Sequence, residues 1–87
     1  MERRSVDILL EIISPEKVLV HRMVRSVELP GTLGRFEVLH DHTPLISSLT
    51  EGNITFSSGD VPEQVRIASG FVEVCENHVI ACVEPCA

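Results

Sequence analysis

Apolar residues occur along this chain in short runs, many of which alternate with polar residues in the two-residue period of a β-strand. Residues 64–69 alternate most clearly and predict that Val65, Ile67 and Ser69 share one face. Residues 6–13 differ, because their apolar residues fall on both faces of the predicted strand. No window of eleven or more residues has the helical spacing of about 3.6 residues. The pattern therefore predicts strands along the chain.

Turn-forming residues separate these runs at intervals of about seven to twelve residues. Pro15 ends the first strand, because proline cannot donate to a strand ladder. The imperfect alternation in residues 17–29 predicts two short strands with a bend or bulge between them. Gly70 is expected to separate two strands, and residues 76–77 predict a tight turn.

At 87 residues the chain has the size of one small domain. Aromatic residues make up only 3% of it, so branched aliphatic residues, which favour strands, must build the core. We predict one all-β domain over residues 1–87, a small antiparallel β-sandwich or flattened barrel of about eight to ten short strands, with its core in roughly residues 8–83. Ile67 and Val74 are expected to face that core.

Composition excludes several functional classes. A net charge of −6 and the absence of Trp and Tyr argue against nucleic-acid binding, which needs clustered cations or stacking aromatics. No apolar run approaches the roughly 20 residues of a membrane helix, and the first residues resemble neither a signal nor a transit peptide. Three cysteines, an odd number, fit free thiols in a reducing cytoplasm better than a disulfide framework.

Residues 30–45 contain the densest cluster of turn signals and the residues that first suggest chemistry. Gly31 and Gly34 lack the lysine and the helix that a phosphate loop needs, so they predict a turn. His40 and His42 lack a third metal ligand and a nucleophile. His42 is expected to bond its own loop or to lie at an interface, and His40 to be a solvated surface residue. No catalytic residue is predicted.

The spacing of Cys75, His78, Cys82 and Cys86 superficially resembles a metal site. Strand geometry argues against one, because residues four apart on a strand lie about 13 Å apart. A zinc ion with ligands at about 2.0–2.3 Å cannot bridge that distance. The tight turn would pair Cys75 with His78 and place Phe71 opposite Cys82. We therefore expect small buried residues and a terminal thiol, with no metal and no cofactor.

Taken together, the motifs resemble the N-terminal β-sandwich of the epsilon subunit of F-type ATP synthases. The resemblance covers roughly residues 8–83. It rests on Leu10-x-Ile12-x-Ser14-Pro15, on Val27-x-x-Pro30-Gly31-x-x-Gly34-x-Phe36-x-Val38-Leu39, on His42-x-Pro44-Leu45, Leu49 and Gly52, and on Ser69-Gly70-Phe71-x-Glu73-Val74-x-x-Asn77-x-Val79.

This resemblance implies a non-catalytic subunit at the foot of a rotating central stalk. Such a subunit couples the gamma subunit to the ring of c subunits during proton-driven ATP synthesis. It would lie at the cytoplasmic face of a bacterial inner membrane and reach that membrane only through the complex. The implied partners are therefore gamma and the c-ring.

The resemblance also implies two sets of contact residues. The set that faces the c-ring is Thr32, Leu33, Gly34 and Arg35, and the set near gamma is Ser14 and His42. Arg35 departs from the family pattern, since that place is often acidic. The loop is therefore predicted without any particular ion pair.

Two alternatives stay open at this point. Many family members continue into a C-terminal helical hairpin, and this sequence stops where the sandwich should end. We expect a short form that lacks the hairpin, with a truncated longer chain as the other reading. A free-standing β-sandwich adaptor for some other protein is the alternative function, and an enzyme or metal protein is the third reading.

Overall fold

The structure is a computed structural model that describes residues 7–59 and 61–86. These residues form eight strands: β1 (Ile8–Ile13), β2 (Val18–Val24), β3 (Ser26–Gly31), β4 (Gly34–Val38), β5 (Leu45–Leu49), β6 (Gly52–Ser57), β7 (Glu63–Cys75) and β8 (His78–Pro85). The predicted all-β class is confirmed, and the strand number lies in the predicted range. Within the described ranges, no helix is long and apolar enough to cross a bilayer.

The strands form one continuous sheet that folds into two layers around a shared core. Sheet I contains β2, β1, β8, the C-terminal half of β7 and β5, in that order. Sheet II contains β4, β3, β6 and the N-terminal half of β7. The core between them is almost entirely aliphatic: Ile8, Leu10, Ile12, Val24, Val27, Leu29, Val38, Leu49, Ile54, Phe56, Ile67, Val72, Val74, Val79, Ala81 and Val83.

Strand β7 joins the two layers, because its halves pair with different strands. Residues 63–67 pair with β6, and residues 70–74 pair with β5. A bulge at Ala68 shifts the register against β8, so Ile67 and Val74 both face the core. Without the bulge, these two residues of opposite parity would face opposite sides of the strand. The prediction that both are buried is confirmed.

Two expectations about this strand were wrong, and the bulge explains one of them. Ser69 was predicted to share the inner face with Ile67, but the extra residue turns it outward and it is exposed. Gly70 does not divide the strand, because it stays in the ladder opposite Val83. A Cβ at Gly70 would lie 2.6 Å from the Cys82 carbonyl oxygen, so glycine is required here by a close approach of two strands.

The first and last strands lie side by side and run parallel, whereas the other pairs are antiparallel. Leu9 aligns with His78 and Ile13 with Cys82. This pairing adds β1 and β2 to the edge of the β7–β8 hairpin. Almost the whole length of the chain separates the two strands, so no turn signal could have predicted it.

Several local expectations are confirmed. Residues 17–29 form parts of β2 and β3, separated at Arg25. Glu76 and Asn77 form a tight turn with φ angles of 51° and 61°, and Cys75 pairs with His78 across it. The three cysteines are free, but the expectation that they include small buried residues was wrong. All three are exposed: the register of β7 and β8 turns Cys75 and Cys82 away from the core, and Cys86 follows the end of β8.

Arg22 covers the open side of the core between edge strand β2 and sheet II. It aligns with the buried Leu10 of β1, so its side chain leaves the strand on the inner face. Its guanidinium carbon lies 5.1 Å from the centroid of the Phe56 ring, and the group forms an ion pair with the Glu63 carboxylate. The aliphatic stem and the cation together cover apolar surface that no strand covers.

We expect Ile67→Ala to lower the free energy of unfolding by about 2–4 kcal/mol, because it removes a fully buried side chain beside the bulge. Chemical denaturation followed by circular dichroism measures the loss. Val61→Ala is the matched control, since Val61 is 76% exposed and its truncation should cost under about 0.5 kcal/mol. Equal losses in the two variants would contradict the assignment of Ile67 to the core.

Candidate protein-docking surfaces

The turn between β3 and β4 forms a projecting tip, which contains the predicted c-ring residues. Leu33 is fully exposed at 102%. Thr32 is fixed to β5, since its amide donates to the Ser48 carbonyl at 3.1 Å and its hydroxyl lies 2.8 Å from the Ser48 hydroxyl. Gly34 has a φ of 140°, which favours glycine. The hairpin therefore presents an aliphatic side chain to solvent on a braced turn.

Arg35 belongs to the same hairpin, but its side chain is held by its own sheet. Its guanidinium donates to the Asn53 carbonyl at 2.8 Å, to the Thr55 hydroxyl at 3.0 Å and to the Glu28 carboxylate at 3.1 Å. These acceptors lie on β3 and β6. Arg35 thus fixes the outer surface of sheet II, which accounts for a basic residue at this place by contacts within the chain.

Ser14, one of the two residues predicted near gamma, is buried at the turn between β1 and β2. It is only 6% exposed. Its hydroxyl donates to the Lys17 carbonyl at 3.1 Å and accepts from the Lys17 amide at 3.2 Å. The side chain therefore fixes the shape of this turn, and Pro15 and Glu16 are exposed above it.

His42, the other residue predicted near gamma, lies half-buried in the loop between β4 and β5. Its Nδ1 donates to the Thr43 carbonyl at 2.7 Å, and its amide donates to the Leu39 carbonyl at 3.2 Å. The predicted bond of His42 to its own loop is confirmed. Its imidazole is held against the loop and is still accessible to a partner.

Asn77 ties the His42 loop to the turn between β7 and β8. Its Oδ1 accepts from the Asp41 amide at 2.6 Å, and its Nδ2 donates to Asp41 Oδ1 at 3.2 Å and to His40 Nε2 at 3.3 Å. His40 was expected to be solvated, which was wrong: its side chain is 26% exposed and also faces Asp41 through Nδ1. We name Asn77, His40 and Asp41 the loop latch.

Ser14 and His42 lie at opposite ends of sheet I. The Asn77 carbonyl accepts from the Leu9 amide, so the loop latch sits at the start of β1, whereas Ser14 follows its end. Six residues of strand separate those ends by about 17 Å. A single partner could therefore contact both residues only if it also covered the outer face of sheet I, which lies between them.

The outer face of sheet I is rich in apolar side chains, and sequence reasoning did not identify it. Ile46 is 77% exposed and Phe71 65%. The further apolar residues that the strand register places on this face are Leu9, Ile13, Val18, Met23 and Ile80. Exposed apolar groups that adjoin across several strands mark protein contact sites. The available signal was that residues 6–13 are apolar on both faces of the strand.

One polar cluster interrupts this apolar face at its centre. Glu11 of β1 aligns with His21 of β2 on one side and with Ile80 of β8 on the other. His78 Nε2 donates to Glu11 Oε1 at 2.6 Å, and His21 Nε2 lies 3.9 Å from Glu11 Oε2. The Glu11 side chain is 23% exposed. We name Glu11, His21 and His78 the face cluster.

The described residues contain no group of three or more His, Cys, Asp or Glu side chains placed to hold a metal ion. Cys75 and His78 are paired across the tight turn, and Cys82 faces Phe71 further along the hairpin. The arrangement presents surfaces suited to contact with another protein.

Comparison with known proteins identifies a family for this fold. Residues 7–86 match the model of the ATP synthase delta/epsilon chain β-sandwich domain. An ATP synthase epsilon chain of Magnetococcus marinus is 37% identical over 80 residues, which are 92% of this chain and 58% of that protein. One of Desulfatibacillum aliphaticivorans is 40% identical over 80 residues, 90% of this chain and 56% of that protein. The chain therefore spans little more than half the length of these relatives.

Solved structures share the same fold at low sequence identity. A chain in the Euglena gracilis mitochondrial ATP synthase (OSCP, F1 and c-ring) superposes with a TM-score of 0.85 at 19% identity, covering 94% of this chain and 53% of that one. A chain of the Tetrahymena thermophila central stalk and c-ring gives a TM-score of 0.75 at 12% identity, covering 88% and 63%. Both support the β-sandwich fold.

We expect Asn77→Gly to free the His42 loop while the tight turn is retained, because glycine also adopts the positive φ of this position. The Asp41 amide loses its acceptor, so its hydrogen exchange should accelerate at least about tenfold. Exchange measured by NMR tests this. Glu76→Gly, in the same turn, is the control and should leave the Asp41 amide protected. Equal protection in Asn77→Gly and the native chain would contradict a role for the latch.

Proposed function

Because this chain belongs to the family of ATP synthase delta/epsilon chain β-sandwich domains, we propose that it is a non-catalytic central-stalk subunit of an F-type ATP synthase. In this role it couples the gamma subunit to the membrane c-ring during proton-driven ATP synthesis. It would be a peripheral component at the cytoplasmic face of a bacterial inner membrane, attached only through the complex.

The observation that carries this proposal is the match of residues 7–86 to the family model, together with surfaces suited to contact. The β3–β4 tip projects an aliphatic side chain on a braced turn, which suits insertion against loops of a ring. The outer face of sheet I offers a broad apolar surface between the Ser14 and His42 ends. Two separate surfaces suit a subunit that joins two partners.

We assign the c-ring contact to Thr32, Leu33 and Gly34, with Arg35 bracing the hairpin from behind. We assign the gamma contact to the outer face of sheet I. Ser14 would shape one end of that contact through its buried turn, and His42 would contribute its half-buried ring at the other. An apolar centre with a polar rim is the usual anatomy of a protein interface.

We expect the chain to bind the gamma subunit of the same organism, and Phe71→Ser to weaken that binding at least about tenfold, since truncated aromatic anchors at interfaces often cost more than 1.4 kcal/mol. The exposed position of Phe71 predicts that the fold survives. Val61→Ser, another exposed apolar residue, is the control and should bind normally. If the native chain did not bind gamma and a different protein were recovered with it, the result would favour an adaptor role.

Leu33→Asp should leave stability unchanged within about 0.5 kcal/mol, because the side chain is fully exposed. The same change should weaken attachment of the assembled stalk to c-ring-containing membranes, measured by sedimentation of the complex with membrane vesicles. Val61→Asp lies in the loop between β6 and β7, beyond the opposite end of sheet II, and serves as the charge-matched control. Melting of the domain by Leu33→Asp would identify Leu33 as a core residue instead.

A further inference from the structure

The face cluster places an acidic group where the proposed gamma contact must exclude water. Leu9 and Ile13 flank Glu11 along β1, and Ile80 lies beside it on β8. The Glu11 carboxylate is already mostly covered in the free chain. Any partner that covers these apolar neighbours also covers the carboxylate and its bond to His78.

The charge of this cluster depends on its two histidines. When both imidazoles are neutral, the cluster carries the single negative charge of Glu11. When one is protonated, the cluster is a neutral ion pair. Among side chains, histidine is the one whose charge its surroundings change most easily near neutral pH. Burying an uncompensated carboxylate costs far more than burying a hydrogen-bonded pair.

We propose, on the basis of the proposed gamma contact at the outer face of sheet I, that docking at this face takes up a proton at the face cluster. The proton is taken from solvent and is held as an imidazolium on His78, or on His21, against the Glu11 carboxylate. The partner at this face is an apolar surface of gamma, which matches the exposed apolar groups around the cluster. Association is therefore tighter at pH 6 than at pH 8.

Other charged groups surround the cluster and do not supply its compensating charge. On β7, Glu73 and Cys75 face the same side, and on β8 Cys82 and Glu84 do so further along. Asp7 precedes β1, and Arg25 follows the far end of β2. Glu76 lines the same shallow depression as His78 and Glu73. The cations Lys17 and Arg25 lie beyond the two ends of β2, and the other charged groups between them on this face are acidic.

Linkage fixes the sign of the effect. The bound state holds more protons than the free partners, so the association constant falls as pH rises. One proton taken up changes the affinity by at most about tenfold per pH unit. Between pH 6 and pH 8 we expect the Kd for gamma to rise by between about fivefold and a hundredfold.

The experiment is a titration of the full chain with the purified gamma subunit by calorimetry at pH 6, 7 and 8. At each pH, buffers of different ionisation enthalpy are compared, because the slope of the observed enthalpy against that quantity counts the protons bound. We expect a positive slope at pH 7 and 8. A flat Kd and a zero slope, with binding intact, would overturn proton uptake and leave the stalk assignment standing.

Two variants test whether the proton is bound at the face cluster or at a histidine of the gamma subunit. Glu11→Gln needs no compensating proton, so it should lose this pH dependence and bind at pH 8 at least as tightly as the native chain. Glu37→Gln, an exposed carboxylate on sheet II, is the charge-matched control and should keep the native dependence. The same dependence in Glu11→Gln and the native chain would show that the proton resides elsewhere and overturn the proposal.

The converse change removes the proton acceptors and keeps a hydrogen-bond donor. The double variant His21→Gln and His78→Gln should bind at pH 6 as weakly as the native chain does at pH 8. Amide spectra of each free variant establish that its fold is retained. Native affinity of the double variant at pH 6 would contradict the proposal. If the native chain did not bind gamma at any of the three pH values, the proposed function itself would be contradicted, and proton uptake rests on that function.

Discussion

The fold depends on the passage of β7 from one layer of the sandwich to the other. This strand bonds to β6 in sheet II and to β5 and β8 in sheet I, so its path sets where both layers lie. The bulge at Ala68 keeps Ile67, Val72 and Val74 on the core side through that passage. Gly70 then allows β8 to approach more closely than any side chain would permit.

Because one strand serves both layers, the two outer faces are free to differ. The outer face of sheet II has polar groups that satisfy one another, with Arg35 bonded across β3 and β6 and Asn53 bonded to Gln64. Such a face is stable in water and leaves few groups to offer a partner. The outer face of sheet I exposes apolar side chains with Ile46 and Phe71 prominent. Sheet I is therefore the face that gains by being covered.

Local sequence signals predicted the strands and their turns, because each depends on a few adjacent residues. Pro15, the break near Arg25 and the turn at residues 76–77 all lie where they were expected. The parallel pairing of β1 with β8 and the continuity of β7 depend on residues distant in sequence, and alternation alone could not reveal them. The outward-facing cysteines were mispredicted for the same reason, since their direction follows from the register.

For the candidate contact residues, the sequence predicted local geometry only where that geometry is set by the residue's own loop. The β3–β4 tip is exposed as the resemblance implied, and His42 bonds its loop, whereas Ser14 is occupied within its turn. The face cluster could not be read from the sequence, because its three members come from three strands. A carboxylate at the centre of an apolar surface adds little to affinity, yet it penalises every partner that leaves it uncompensated. In the proposed contact, its place beside Ile80 would make the face selective, while the surrounding aliphatic groups would supply the attraction.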